Sequence, residues 1–276
     1  MTEAEPQIPV QYLTVGTGSN ERRIAYINER AVTHPEALSS GRAANEATGV
    51  LWMQGFKSDM ISTKASALST WTQAQNIPYI RLDYSGHGQS GGDFEAGTIG
   101  LWLEEAVAVF SKLTTGPQVV VGSSMGGYLS LLLLRWLLEN NPAEAQRIKA
   151  LVLIAPAWDM TEELMWLQFP DDVKRQIEEN GVWLRPSEYG DPYPITRGLI
   201  EDGRHHLIGR SPWDPGRPVR IIQGRLDPDV PFMHAERLMK ILTGGDQRLI
   251  EVTDGEHRLS RPQDLALLLQ TIGEVL

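Results

Sequence analysis

The segment from Val119 to Gly127, VVVGSSMGG, constrains the fold of this chain more than any other stretch. Three valines predict a buried strand, and the apolar pattern after Met125 predicts a helix. Between them lies Gly-x-Ser-x-Gly centred on Ser124, which is typical of a strained strand-to-helix turn with an exposed serine hydroxyl. Small residues at Gly122 and Gly126 let strand and helix pass closely without a Cβ clash. The context favours a nucleophilic serine over an ordinary loop serine between two glycines.

Composition narrows the class of protein. The chain has 276 residues, 41% of them hydrophobic, which suffices for one large α/β domain with a full core. The formal net charge of −10, without a basic run, argues against a nucleic-acid partner. The chain has no cysteine, which excludes disulfides and cysteine metal ligands and fits a reducing compartment. The most apolar helical pattern, 129–138, is shorter than the roughly 20 residues of a transmembrane segment.

Strand patterns alternate with helical patterns along most of the chain. This alternation predicts a mostly parallel eight-stranded sheet with helices on both faces, formed by a single domain that spans 1–276. The predicted strands are 10–15, 23–27, 50–54, 79–83, 119–121, 148–154, 219–222 and 248–252, with a hairpin between the first two. The predicted helices are 63–75, 99–113, 125–140, 232–242 and 262–275.

One region interrupts this alternation, since no strand pattern is visible between 154 and 219. It contains half of the eight tryptophans, namely Trp158, Trp166, Trp183 and Trp213. Long insertions in compact domains are commonly lids or binding segments, and the aromatic content argues against disorder. We expect 157–214 to form a helical cap over the active site. The alternative is a satellite core cluster that never touches substrate.

A nucleophilic serine needs a base within hydrogen-bond reach, and the base needs a third group that sets its tautomer. Asp227 follows the strand predicted at 219–222, at the sheet edge where ligands collect in open α/β sheets. Asp229 is the alternative acid, and its other role would be to cap the next helix. His257 is the predicted base, because its loop alone returns a histidine to this edge after the acid.

The oxyanion of an acyl-transfer reaction needs two convergent backbone donors. We expect one from the N–H of Met125, directly after the nucleophile. The other is expected from Phe56, in the loop QGFKSD (54–59) after the third strand. The neighbouring Lys57 could attract an anionic substrate group or be an ordinary solvated lysine.

Two further histidine-containing motifs are predicted to be structural or inert. The run DYSGHGQSG (83–91) predicts a tight loop held by hydrogen bonds of Asp83 and His87. His87 precedes the serine, which argues against it as the catalytic base. The adjacent pair His205 and His206 lacks metal-ligand spacing, so no metal site is expected.

With these residues identified, the chain resembles the serine α/β-hydrolase superfamily over nearly its whole length. More narrowly, its motifs are similar to those of the palmitoyl-protein thioesterase, or mycophenolic acid acyl-glucuronide esterase, family. The motifs are GFKSDM (55–60), DYSGHG (83–88), GSSMGG (122–127), IAPA (154–157), TEELMW (161–166) and SEYG (187–190). The resemblance implies an α/β-hydrolase fold and a triad of Ser124, Asp227 and His257. It also implies hydrolysis of acyl thioesters, including S-acyl cysteine, and of drug acyl glucuronides.

We therefore expect a cofactor-free serine hydrolase that acts on a small acyl ester or thioester or on an S-acylated protein. The alternatives are a carbon–carbon bond hydrolase that uses the same triad and a non-catalytic binding protein of the same fold. The N-terminal MTEAEP resembles neither a secretory signal nor a transit peptide, although animal members of the family carry the latter. This predicts a cytoplasmic protein, or a mitochondrial one if a transit peptide was removed.

Overall fold

The computed structural model describes residues 8–29, 47–186 and 192–276. Its strands are β1 (Gln11–Val15), β2 (Arg22–Glu29), β3 (Gly49–Met53), β4 (Tyr79–Leu82), β5 (Gln118–Ser123), β6 (Ile148–Ile154), β7 (Val182–Arg185), β8 (Tyr193–Thr196), β9 (Val219–Gly224) and β10 (Gln247–Val252). Eight of them form one sheet in the order β1-β2-β4-β3-β5-β6-β9-β10. The pairs β1–β2 and β2–β4 are antiparallel and the other pairs of this sheet are parallel, which confirms the predicted sheet and its opening hairpin.

Helices cover both faces of this sheet. The α-helices among the described residues are α1 (Thr63–Ala74), α2 (Ile99–Leu113), α3 (Met125–Asn140), α4 (Pro142–Ala145), α5 (Asp171–Asn180), α6 (Arg197–Gly203), α7 (Phe232–Ile241) and α8 (Pro262–Gly273), of which α5 and α6 belong to the insertion 157–214. Each helix predicted for the sheet region is present, with ends that shift by at most a few residues. Helices α2, α3 and α7 share one core cluster with the sheet, and α1 and α8 share a second cluster on the opposite face.

Strand β5 shows why both faces need helices. Its side chains alternate between the two faces, as the pleat of a strand requires. Val120 belongs to the core beneath α2 and α3, whereas Val119 and Val121 belong to the core beneath α1 and α8. All three are fully buried, which explains the continuous apolar run that precedes the Gly-x-Ser-x-Gly turn.

The insertion 157–214 differs from the purely helical segment that we expected. It contains a π-helical turn (Thr161–Trp166) and helices α5 and α6, but also an antiparallel ribbon formed by β7 and β8. The expectation that this region holds no strand was therefore wrong. Both strands are only four residues long, and Leu184 of one pairs with Pro194 of the other. A proline weakens a strand pattern, although it is tolerated in an edge strand.

The tryptophans of the insertion are packed against the main core. The Trp158 ring stacks on His234 of α7, with centroids 4.3 Å apart, and its Nε1 donates a hydrogen bond to the His234 carbonyl. Trp183 packs edge-on against Phe169 at 5.1 Å. Trp213 forms a bridge with Leu242 after α7. Trp158, Trp183 and Trp213 thus pack the insertion against the core.

One motif of the sequence analysis, SEYG at 187–190, lies outside the described residues. Within the described ranges, no helix combines the length and the apolar character required to cross a bilayer.

Candidate active site

The turn between β5 and α3 holds Ser124 in a strained conformation, with φ of 54° and ψ of −118°. Such a conformation persists only where the surroundings over-determine it. Here the Ser124 N–H donates to the Ile154 carbonyl at 2.8 Å. The Ser124 carbonyl accepts hydrogen bonds from Gly127 N at 2.9 Å and Ala157 N at 3.1 Å. Ser124 is partly exposed, and the backbone forms the strained strand-to-helix turn that the sequence predicts.

The two glycines of the turn are required for close approach, each toward a different neighbour. A Cβ added at Gly122 would overlap the Gly126 carbonyl at the start of α3. A Cβ at Gly126 would overlap the Met53 carbonyl at the end of β3. Gly122 thus allows α3 to pack closely on β5, the strand that precedes it. Gly126 allows α3 to pack closely on the neighbouring strand β3. As a result, the N-terminus of α3 lies beside the loop that follows β3.

The structure brings the three residues predicted as a triad into one chain of hydrogen bonds. His257, in the loop between β10 and α8, places Nε2 at 3.1 Å from Ser124 Oγ. Its Nδ1 lies 2.8 Å from Asp227 Oδ2, in the loop after β9. Because the carboxylate can only accept, Nδ1 carries the proton and Nε2 is left free to accept the serine proton. This is the tautomer that a general base requires.

The Asp227 carboxylate is fully buried and receives four hydrogen bonds. Its Oδ1 accepts from the backbone N–H groups of Asp229 at 2.9 Å and Val230 at 2.8 Å. Its Oδ2 accepts from Gln223 Nε2 at 3.1 Å as well as from His257. Four donors hold the carboxylate in one orientation. The group therefore suits the task of orienting an imidazole.

Asp229, the alternative acid, has a different environment. It is exposed, whereas Asp227 is buried. Helix α7 begins after Pro231 without a side-chain cap, so Asp229 does not serve as the cap that its position suggested. Asp227, Asp229 and His257 each place one polar atom within 4.8 Å of the others, but the hydrogen bond to Nδ1 goes to Asp227. The geometry favours Asp227 as the partner of the imidazole.

The predicted oxyanion donors flank the serine. The Gly55 backbone packs against the turn, so that an added Cβ would lie 3.3 Å from both Ser123 O and Ser124 Cβ. Phe56 follows directly in this loop. Met125 is the first residue of α3, where backbone N–H groups have no intrahelical partner. Both amides therefore belong to backbone segments that adjoin Ser124.

Two buried polar side chains support the loop that carries Phe56. Gln54 Nε2 donates to the Ser58 carbonyl at 3.0 Å, across the base of the loop. The Asp83 carboxylate accepts from Met60 N at 2.7 Å and Gln89 N at 2.8 Å, joining the loops after β3 and β4. Burial raises the pKa of Asp83 above its ordinary value. The hydrogen bonds of Asp83 agree with the structural role predicted for the DYSGHG motif.

His87 also lies in a structural environment. Its Nδ1 is 3.1 Å from the Ser85 carbonyl, and its ring packs against Phe94 at 5.1 Å and Trp102 at 5.3 Å. Burial, aided by the positive charge of Lys57, lowers the pKa of His87. The His87 ring is a member of an aromatic cluster, and the histidine within hydrogen-bond distance of Ser124 Oγ is His257.

The loop with His257 is supported from α1 by Lys64. The Lys64 ammonium donates to the Arg258 carbonyl and lies 3.3 Å from Ser260 Oγ. Burial, with the nearby Arg258 charge, lowers the pKa of Lys64 to about 8. Sequence reasoning missed Lys64, Gln54 and Gln223 as supporting residues. Each acts through a tertiary contact, and none lies in a pattern that distinguishes it from other polar residues.

The ribbon of the insertion borders the site at the loop with Phe56. The Phe56 ring lies 5.8 Å from Tyr193 of β8 and 5.0 Å from Phe94. Lys57 is exposed, and its ammonium lies 4.9 Å from the centroid of the Tyr193 ring. The Tyr193 ring and the Lys57 ammonium therefore lie next to Phe56, one of the two predicted oxyanion donors.

The His205–His206 pair lies elsewhere, beside a cavity of about 340 Å³ between α2 and α3. Apolar side chains of these helices line it together with charged ones, namely Leu103, Val107, Leu132, Trp136, Glu104, Arg135 and Glu139. His206 Nε2 is 3.6 Å from Asp202, one turn earlier on the chain. Ser124 does not line this cavity, so its residues are separate from the hydrogen-bonded triad.

Comparison with known proteins identifies the family of this chain. Residues 60–266 match the profile of the Alpha/beta hydrolase family. The chain is 32% identical over 243 residues to a Bos taurus protein named "Palmitoyl-protein thioesterase ABHD10, mitochondrial", covering 87% of this chain and 76% of the bovine protein. These matches confirm the resemblance indicated by the sequence motifs.

Solved structures agree with the sequence matches. A structure from Agrobacterium vitis S4 is 39% identical, with a TM-score of 0.90 and coverage of 97% of this chain and 98% of that one. The mouse Alpha/beta hydrolase domain-containing protein 10 is 27% identical, with a TM-score of 0.78 and coverage of 96% and 97%. From the family profile, the relatives and the shared fold, we conclude that this chain belongs to the alpha/beta hydrolase family.

Proposed function

We propose that this protein is a serine hydrolase that cleaves acyl thioesters and esters through an acyl-enzyme intermediate. The observation that carries the proposal is the hydrogen-bond chain from Ser124 Oγ through His257 to the buried Asp227, with lengths of 3.1 and 2.8 Å. The strained turn presents the hydroxyl at one end of this chain. Membership of the family and the name of the bovine relative support hydrolysis of an ester or thioester.

In the acylation step, Ser124 Oγ attacks the acyl carbonyl carbon while His257 Nε2 accepts the hydroxyl proton. Asp227 stabilises the resulting imidazolium through its hydrogen bond to Nδ1. The π electrons of the carbonyl move to its oxygen. The resulting oxyanion accepts hydrogen bonds from the N–H groups of Phe56 and Met125. The positive end of the α3 dipole favours the same negative charge.

Collapse of this intermediate breaks the bond between the acyl carbon and the leaving sulfur or oxygen. His257 returns its proton to the leaving group, which departs as a thiol or an alcohol. A water molecule then gives a proton to His257 and attacks the carbonyl carbon of the Ser124 ester. The bond between this carbon and Ser124 Oγ breaks, and His257 returns the proton to Oγ. The products are a carboxylic acid and the regenerated serine, so no cofactor enters the balance.

The substrate class follows from the relative and the borders of the site. The bovine name specifies a palmitoyl-protein thioesterase, which makes an S-acylated protein or a smaller acyl thioester our first choice. Acyl glucuronides are a second ester class implied by the sequence motifs. The insertion 157–214 would act as a cap, with its β7–β8 ribbon beside the Phe56 loop. Placement in the cytoplasm stays a prediction, since the relatives carry "mitochondrial" in their names.

A series of acyl thioesters from acetyl to palmitoyl tests this proposal. Wild type should hydrolyse members of the series, and Ser124→Ala should lose about 10³-fold or more of the rate. Ser123→Ala is the matched control, because Ser123 is the adjacent buried serine of β5. A Ser124→Ala enzyme that keeps most of its rate would refute the proposal. Turnover of a dienone alone would favour a carbon–carbon hydrolase, and the absence of any serine-dependent turnover would favour a binding protein.

A further inference from the structure

Gln223 contacts the proposed triad from the strand below it. It is the penultimate residue of β9, and its side chain is fully buried. Its Nε2 donates to Asp227 Oδ2 at 3.1 Å and to the Val230 carbonyl at 2.9 Å. Asp227 Oδ2 is the same atom that accepts from His257 Nδ1. One amide thus joins the carboxylate to the far end of the loop that carries it.

The orientation of the Gln223 amide follows from its neighbours. A carboxylate oxygen and a backbone carbonyl are both acceptors, so the group that faces them must be the NH₂ and not the oxygen. The opposite atom, Oε1, is buried and has no hydrogen-bond partner among the described residues. An unsatisfied buried oxygen costs stability. The glutamine thus carries a cost in stability beside the hydrogen bonds that its Nε2 donates to Asp227 and Val230.

We propose that Gln223 is a positioning residue for the reaction, acting on His257 through Asp227. This inference rests on the proposed hydrolase function. The amide holds the Asp227 carboxylate in the rotamer that faces Nδ1, and it closes the loop between 227 and 230. It also withdraws part of the charge of Oδ2, which moderates how strongly the imidazolium keeps its proton.

The test uses Gln223→Met, which keeps the approximate volume and removes the donor. Hydrogen bonds to charged groups are among the stronger ones, so kcat/KM on an acyl ester should fall about 10-fold or more. The acidic limb of the kcat/KM pH profile should move to higher pH, because Asp227 then binds the imidazolium more tightly. A purely structural role would not move this limb.

Gln118→Met is the matched control. Gln118 is a buried glutamine at the first residue of β5, two strands away from β9 in the sheet, and its amide donates to the Thr115 carbonyl. This variant should lower the melting temperature while leaving the pH profile unchanged. An Asp227→Asn background provides a second check, since adding Gln223→Met there should change the residual rate by less than about 2-fold.

The outcomes separate this inference from the proposed function. Absence of Ser124-dependent hydrolysis in the wild type would refute the hydrolase. Wild-type hydrolysis with an unchanged rate and pH profile in Gln223→Met would overturn the role of Gln223 alone. If Gln223→Met fails to fold, Gln223→Glu retains the volume but sets an acceptor against two acceptors. It should lose about 10-fold or more of kcat/KM at pH 8, and a wild-type rate would overturn the inference.

Discussion

At the scale of single residues, the environments of Asp227 and Asp229 separate two candidates that the sequence alone leaves open. Both follow β9, two positions apart, and both have a carboxylate near His257. Asp227 is buried under four donors, whereas Asp229 is exposed to solvent. A buried, hydrogen-bonded carboxylate holds an imidazole in one orientation, because solvent does not compete for its oxygens. Because Asp229 is exposed, water competes for its carboxylate oxygens.

The contrast gives a direct prediction about the acid. Asp227→Asn should reduce kcat by about 10⁴-fold, because an amide in that place favours the wrong tautomer of His257. Asp229→Asn should keep the rate within a few fold of wild type. Steady-state hydrolysis of an activated acyl ester at neutral pH measures both. A large loss in Asp229→Asn together with an active Asp227→Asn would reverse the assignment.

At the scale of elements, the close packing of α3 on β5 and β3 positions the backbone around Ser124. The helix begins at Met125, and its first turn contacts the end of β3 through Gly126. This contact brings the two proposed oxyanion donors, Met125 and Phe56, from separate elements to the same serine. The close packing leaves no room for a side chain at Gly126, since the neighbouring atoms belong to the backbone.

Substitution of this glycine should therefore lower the stability of the fold. Gly126→Ala should lower the free energy of unfolding by about 2 kcal/mol, because the added methyl overpacks against the Met53 carbonyl. Gly273→Ala is the matched control, since a Cβ there meets nothing within 4 Å at the end of α8. The control should raise the free energy of unfolding by about 0.5–1 kcal/mol. Urea unfolding of the two variants measures both effects, and equal effects would contradict the packing argument.

At the scale of the whole molecule, the insertion 157–214 is joined to the sheet domain by a buried histidine. His234 of α7 stacks on Trp158, and its Nε2 lies 2.8 Å from the Trp158 carbonyl. Burial, with the neighbouring Arg237 charge, lowers the pKa of His234 to about 4. Protonation of this ring therefore opposes folding.

The consequence is a loss of stability in mild acid. In the unfolded chain the pKa of His234 returns to 6.5, so the unfolded state binds the proton first as the pH falls. The neutral His234 ring contributes fully to the free energy of unfolding above pH 6.5. This contribution is lost as the pH falls from 6.5 to about 4, and the loss between pH 7 and 5 is about 2 kcal/mol. Urea unfolding of wild type and His234→Gln at both pH values measures it. An equal pH dependence in the two proteins would contradict the prediction.

Much of the fold was predictable from local patterns. The strand–turn–helix at Ser124 could be predicted because strand alternation, the two glycines and the helix pattern agree over one short segment. The β7–β8 ribbon could not, because four-residue strands with a proline carry little periodic signal. The contacts of the tryptophans in the insertion could not be predicted either, because they are made across elements: Trp158 stacks on His234 of α7, and Trp183 packs against Phe169.

The amino-acid sequence by itself determined the order of elements, the strained serine and the set of residues able to form a triad. These features depend on neighbours along the chain, where backbone sterics and hydrophobic periodicity act directly. Only the tertiary structure decided which acid faces the histidine, since His257 lies 133 residues from Ser124 and 30 from Asp227. It also decided that Gln223 and Lys64 support the site. Their roles depend on hydrogen bonds across elements, and such contacts exist only once the sheet has formed.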